Sequence, residues 1–138
     1  MATNKKWRAL VIFLSVMFLA LGCQRERKSA ESRCDYDGVN IEPTYAVYFT
    51  LQDGSEKTFC SIACASLSFP QLKGRIKEVM VVDEHSGAKI IAAEAFYVES
   101  EVVTVPHVKN RVHVFENRED AIEHLDKFKG GWVENPFR

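Results

Sequence analysis

The sequence predicts an α+β fold, two ββα-type units packed as one small domain, preceded by a lipoprotein signal peptide. Three observations carry this prediction. Segments rich in β-branched and aromatic residues alternate with Gly-containing turns, and each of two capped helical segments follows a pair of such strands. The order strand, turn, strand, Phe, capping residue, helix also occurs twice, at Phe59-Cys60-Ser61 and at Phe115-Glu116-Asn117. The length, 138 residues including the leader, suffices for one core and not for two.

At the N-terminus Lys5, Lys6 and Arg8 form a positive patch, and Ala9 to Leu21 is apolar except for Ser15. That run has the length of a signal-peptide core and falls short of the ~20 residues a bilayer-spanning helix needs. It ends in Leu19-Ala20-Leu21-Gly22-Cys23, which resembles a bacterial lipobox with Ala20 where Leu is commoner. Residues 1–22 are therefore expected to be removed and Cys23 to carry lipid; the competing reading is an uncleaved anchor helix. Gln24, rather than Asp, after the cysteine resembles the outer-membrane sorting context of Gram-negative lipoproteins. The expected location is the cell envelope, with the chain held to the membrane by Cys23 and facing the periplasm or exterior. Cys23 and the polar, charged residues 24–33 read as a flexible tether, leaving 34–138 as the folded domain. Without Lys5, Lys6 and Arg8 the 18 basic residues become 15 against 19 acidic ones, a net charge of −4. Nothing suggests a basic face, so nucleic acid is excluded as a partner.

Within the domain, Tyr45 to Leu51 (YAVYFTL) and Lys57 to Phe59 flank the hairpin turn Asp53-Gly54. Ser61 caps a short helix that Pro70 is expected to stop after Phe69. Val79 to Asp83 and Lys89 to Ala93 flank a second turn at His85-Ser86-Gly87, and Ala95 to Val105 alternates as an extended segment. Arg111 to Phe115 reads as a strand. Asn117 then caps a helix to about Phe128 with Ala121, Ile122, Leu125 and Phe128 on one face. Gly130-Gly131 ends that helix where a left-handed residue is needed.

Cys34, Cys60 and Cys64 are the thiols left once Cys23 is lipidated. Cys60 and Cys64 are four residues apart at a helix start, so their thiols share one face, one turn apart. The helix N-terminus is expected to lower their thiol pKa, giving a thiolate pair suited to Cu(I), Zn(II) or Hg(II). The first hairpin could return Cys34 to that helix start, with Asp37 three residues beyond it. In an oxidising compartment Cys34 could instead pair with Cys60 or Cys64 as a structural disulfide. An odd number of thiols leaves one over, which favours metal or redox chemistry.

Cys34-x-x-Asp37-Gly38 followed by Phe59-Cys60-Ser61-x-x-Cys64 resembles the TRASH-type heavy-metal motif. With Val82-Asp83, Ala92 to Val98 (AAEAFYV), Pro106, the closing helix and Gly130-Gly131, most of residues 34–133 resembles the NosL family of nitrous-oxide-reductase accessory lipoproteins. That resemblance implies a periplasm-facing Cu(I) chaperone and two ββα units like those of the organomercurial-lyase fold. The partner it implies is a metal-accepting envelope protein such as the reductase. This chain departs from the family in carrying Asp37-Gly38-Val39 where a second cysteine and Gly-Met are frequent, and Pro106-His107 where Pro-Met is frequent. Carboxylate for thiolate and imidazole for thioether both shift a site from Cu(I) toward Zn(II).

The expected metal ligands are thus Cys60 and Cys64, with Cys34 third and Asp37 or His107 fourth. The other imidazoles, His85 in a turn, His113 on a strand and His124 on the polar helix face, are expected to meet solvent. Glu116, Glu119, Asp120 and Glu123 form a solvated acidic face near a helix start. Met80 reads as core. Asp83 raises the alternative of a lyase that protonates a carbon–metal bond, but no residue match places it beside the thiols. There is no Ser-His-Asp motif, phosphate loop or Cys-x-x-Cys, and a non-enzyme is expected.

Overall fold

A computed structural model describes residues 32–138; the expected leader, the expected lipidation at Cys23 and the expected tether as far as residue 31 lie outside the described residues. The first unit opens with the hairpin β1 (Val47–Leu51) and β2 (Glu56–Phe59), registered with Val47 opposite Phe59 and Thr50 opposite Glu56. Asp53 closes the turn by accepting from the Ser55 amide at 2.9 Å, and Gly54 supplies the positive φ of 83° that the turn requires. Alternation along β1 sends Val47, Phe49 and Leu51 inward and leaves Tyr48 and Thr50 half-buried.

Helix α1 spans Ile62–Leu72. Its start is as predicted, with Ser61 Oγ accepting from the Cys64 amide at 3.2 Å. Its end is not, because Pro70 lies inside the helix. The hydrogen bond Pro70 cannot donate belongs to the last turn. Phe69, buried against Phe49 and Phe137, holds that turn in place. Strand β3 (Ile76–Val82) returns beside β1, and β4 (Lys89–Ile91) adds on its far side, giving an antiparallel sheet in the order β2-β1-β3-β4.

The second unit contains β5 (Phe96–Glu99), β6 (Val112–Phe115), helix α2 (Arg118–Phe128) and the two-residue β7 (Gly131–Trp132), in the sheet order β6-β5-β7. In both sheets the first hairpin strand is flanked by its hairpin partner and by the strand that follows the helix. The expected duplication is therefore present and one strand longer than predicted, as ββαβ. The extended segment expected over 95–105 ends as a strand at Glu99. Beyond it the Ser100 hydroxyl accepts from the Val102 amide at 3.1 Å and turns the chain, so the apolar alternation there marks no sheet.

Two histidines are not where the sequence placed them. His113 is 1% exposed, because β6 is covered on both faces rather than one. His124 lies on the inner face of α2, its ring stacked 4.1 Å from that of His113 and against Phe115 and Phe128. Ile122, predicted to face inward, is exposed. His85 is exposed as expected. The two units are stitched at residues 83–84. The Glu84 amide donates to the Val114 carbonyl at 3.0 Å, and the Asp83 carboxylate accepts from the Glu116 amide at 3.1 Å.

Candidate metal centre

Three chain segments meet at one end of α1. The first is the turn Cys34–Gly38, closed by the Gly38 amide donating to the Cys34 carbonyl at 2.8 Å, with Gly38 at φ 75°. It docks along the edge strand β2: the Asp35 amide donates to the Thr58 carbonyl at 2.8 Å, while the Asp35 carboxylate accepts from the Thr58 amide at 2.7 Å and pairs with Lys57 at 2.8 Å. The turn is thereby held to the free edge of β2 by one backbone and one side-chain acceptor. It sets Cys34 and Asp37 beside the point where Cys60 leaves β2. The second segment is the start of α1, where Cys60 and Cys64 lie one turn apart with sulfurs 3.4 Å from each other. The third is the short helical turn Pro106–Val108, which presents His107.

Cys34, Asp37, Cys60 and Cys64 bring one ligand atom each to within 4.8 Å of all the others. Asp37 Oδ2 stands 3.3 Å from Cys64 Sγ, 3.8 Å from Cys60 Sγ and 3.0 Å from His107 Nε2, and that nitrogen is 3.9 Å from Cys60 Sγ. All three cysteines are free thiols, and each is at most 3% exposed. The Asp37 and His107 side chains are 19% and 43% exposed and form the solvent side of the site. Met80 is half-buried on β3, opposite Tyr48 on β1 and Ile91 on β4.

These separations suit a common ion. Two donors on one tetrahedral metal, with metal–sulfur bonds near 2.3 Å and metal–nitrogen or –oxygen bonds near 2.0 Å, lie about 3.3–3.8 Å apart. The separation of the Cys60 and Cys64 sulfurs, 3.4 Å, and their distances of 3.8 and 3.3 Å from Asp37 Oδ2 fall in that range.

The electrostatics differ from the expectation of lowered thiol pKa values. Burial pushes the Cys60 thiol up to about 11, and neighbouring Cys34 adds to the rise although Cys64 and Ser61 donate against it. Cys64 is raised further, again chiefly by burial. The helix terminus does not prevail because Ser61 occupies the Cys64 amide and the sulfurs are buried, where a charge is poorly solvated. The fixed anion is Asp37. Burial opposes its ionisation, but Cys34, the Val39 amide, Cys64 and His107 donate to it and together hold it near 2.

Sequence reasoning passed over two residues that shape the centre. Asp35, which sets the turn on β2, had a local signal in the Asp-x-Asp-Gly pattern around it. Asn110 accepts from the Ala63 amide at the start of α1, 47 residues earlier in the chain, and no local pattern announces such a contact.

Other polar groups are committed elsewhere. Asp83 accepts from the Ser86 and Glu116 amides at 2.8 and 3.1 Å and does not join the converging thiols. Glu84, His113 and Ser100 have the connectivity of a hydrolytic triad, with Glu84 Oε2 2.9 Å from His113 Nδ1 and Ser100 Oγ 3.0 Å from His113 Nε2. They do not make a nucleophile. Nε2 is shared with the Val102 carbonyl at 3.2 Å, and the Ser100 hydroxyl already accepts from the Val102 amide at 3.1 Å. Ser100 Oγ also lies 3.0 Å from His124 Nε2, and Ser100 is 1% exposed, out of reach of a substrate.

No family model and no curated protein matches the chain. Among solved structures, the crystal structure of the copper chaperone NosL from Shewanella denitrificans matches with a TM-score of 0.63 and 21% identity, covering 75% of this chain and 86% of that one. At that identity the likeness is one of fold, and it is the NosL-like α+β fold that the sequence predicted.

Proposed function

We propose that this chain is a lipid-anchored envelope protein that binds a thiophilic metal ion and passes it to a metal-accepting neighbour. Cu(I) is the first cargo, with Zn(II) the alternative. The observation that carries this reading is the convergence of three buried free thiols and Asp37 within 4.8 Å. Cys60 and Cys64 are the principal ligands, Cys34 the third, and Asp37 or His107 completes the set. Three thiolates favour Cu(I), and the fold is shared with a protein described as a copper chaperone. The carboxylate and imidazole on the open side add harder donors that also accommodate Zn(II). Buried sulfurs beneath an exposed rim suit transfer to a partner rather than turnover of a substrate. The recipient, by the NosL resemblance, is a metal-accepting envelope protein such as a reductase.

The test is to prepare residues 24–138, which omit the competing Cys23 thiol, under anaerobic conditions and to measure bound metal alongside free thiols. One copper or zinc ion per chain is expected, lost in Cys60→Ser and in Cys64→Ser. A metal-free protein with a single titratable thiol, even after reduction and copper addition, overturns the reading.

A further inference from the structure

We infer that Asn110 is a positioning residue that holds His107 over the cysteines, so that the two ββαβ halves complete the site together. The inference deepens the reading of that site as a metal centre and rests on it. Ligands Cys34, Asp37, Cys60 and Cys64 all belong to the first half, whereas His107 belongs to the loop between β5 and β6. Its imidazole is 43% exposed, so packing does little to fix where Nε2 points; the bond to Asp37 and the geometry of its loop do so together.

That loop is anchored by Asn110. The Asn110 amide donates to the Val105 carbonyl at 3.2 Å, and its carbonyl accepts from the Thr104 amide at 3.0 Å. Lys109, at φ 51°, turns the chain between His107 and this anchor. The Asn110 side chain is 3% exposed, and its bonds use the whole amide. Nδ2 donates to Thr104 Oγ1 at 2.7 Å and to the Val112 carbonyl at 2.9 Å, while Oδ1 accepts from the Ala63 amide at 3.2 Å. Ala63 is the residue before Cys64, and its amide is one of the helix-start donors that α1 cannot satisfy internally. Ser61 caps the next one. One side chain thus closes the base of the His107 loop and grips the helix that carries Cys64. Asparagine suits the position because it both donates and accepts. Aspartate would set its carboxylate against the Val112 carbonyl, and glutamine is longer by a methylene.

The geometry makes His107 depend on Asn110, and a double-mutant cycle with Co(II) as probe tests that dependence. Loss of Co(II) to a chelator is timed in residues 24–138 carrying no substitution, Asn110→Ala, His107→Ala or both. Asn110→Ala is expected to speed loss about 10- to 100-fold, as for other residues that orient a ligand. In the His107→Ala background it is expected to add little. In the metal-free protein, the His107 side-chain nitrogen resonance is expected to move toward that of a free imidazole in Asn110→Ala, as its bond to Asp37 loosens. Equal acceleration in both backgrounds, or an unmoved His107 resonance, overturns the inference. Thr104→Val keeps the bond to Ala63 and removes one anchor, so it gives a smaller change of the same sign if Asn110→Ala does not fold. Should the unsubstituted protein bind no Co(II) or Cu(I), the metal-centre reading fails, while the metal-free resonance still decides whether Asn110 positions His107.

Discussion

Asp37 and the thiols divide the electrostatic work of the centre between a group that stays ionised and groups that do not. Held near 2 by donors from Cys34, Val39, Cys64 and His107, Asp37 is an anion throughout the neutral range. Cys60, pushed to about 11 by burial, and Cys64, higher still, are protonated over the same range. A metal ion binds thiolates, so each of these thiols must release its proton on binding, whereas Asp37 has none to release. The sign follows directly: protons compete with metal, and affinity falls as pH falls. Between pH 8 and pH 6 the affinity is expected to drop about tenfold per unit for each thiol that ligates. Competition titrations against a chelator of known pH dependence measure the slope, and a pH-independent affinity would mean that neither thiol ligates. This behaviour was not legible in the sequence. The i, i+4 spacing of Cys60 and Cys64 announced a shared face. The helix terminus, however, suggested lowered pKa values, because burial is a tertiary fact that the spacing does not carry.

The elements that the sequence disclosed are those whose signals are local. Asp53-Gly54, the Ser61 cap and the apolar face of α2 each lie within a few residues of what they specify; the structure contains the first two, and of the third it turns Ala121 and Leu125 inward but not Ile122. Strand β7 is two residues long and offers no periodicity to read. His113 looked exposed because alternation along a strand implies one wet face, which β6 lacks. Gly130 illustrates a local signal with a longer-range cause. The sequence marked Gly130-Gly131 as a helix stop, yet Lys129 already takes a positive φ of 63° at the end of α2. Glycine is needed at 130 because β5 passes so close that a Cβ there would sit 1.9 Å from the Glu99 carbonyl oxygen, and because φ is 116°. Gly131 has open space at the same test. Gly130→Ala is therefore expected to cost about 3 kcal/mol or more, and Gly131→Ala less than about 1 kcal/mol. Urea unfolding of the two variants checks the contrast; equal losses would remove the close approach as the cause.

Across the whole molecule, duplication was visible in the order of elements, while the joint between the two copies was not. The joint is residues 83–84, read in the sequence as the end of a strand and the start of a turn. Asp83 is 1% exposed and ties its own hairpin, through the Ser86 amide and hydroxyl, to the Glu116 amide at the entrance to α2. Burial works against its charge, but these donors outweigh burial and keep its pKa below the usual carboxylate value. Asp83→Ala leaves the Ser86 and Glu116 amides, one on each half, without their acceptor and is expected to lower the unfolding free energy by about 1–3 kcal/mol. The same variant separates the two roles considered for this residue. If Asp83 serves the joint, the destabilised but folded protein still binds metal in the original ratio, because none of the converging donors has moved. A folded Asp83→Ala protein that has lost its metal would instead mean that the joint and the thiols are coupled. The half-built site of the first unit would then depend on the second for more than His107.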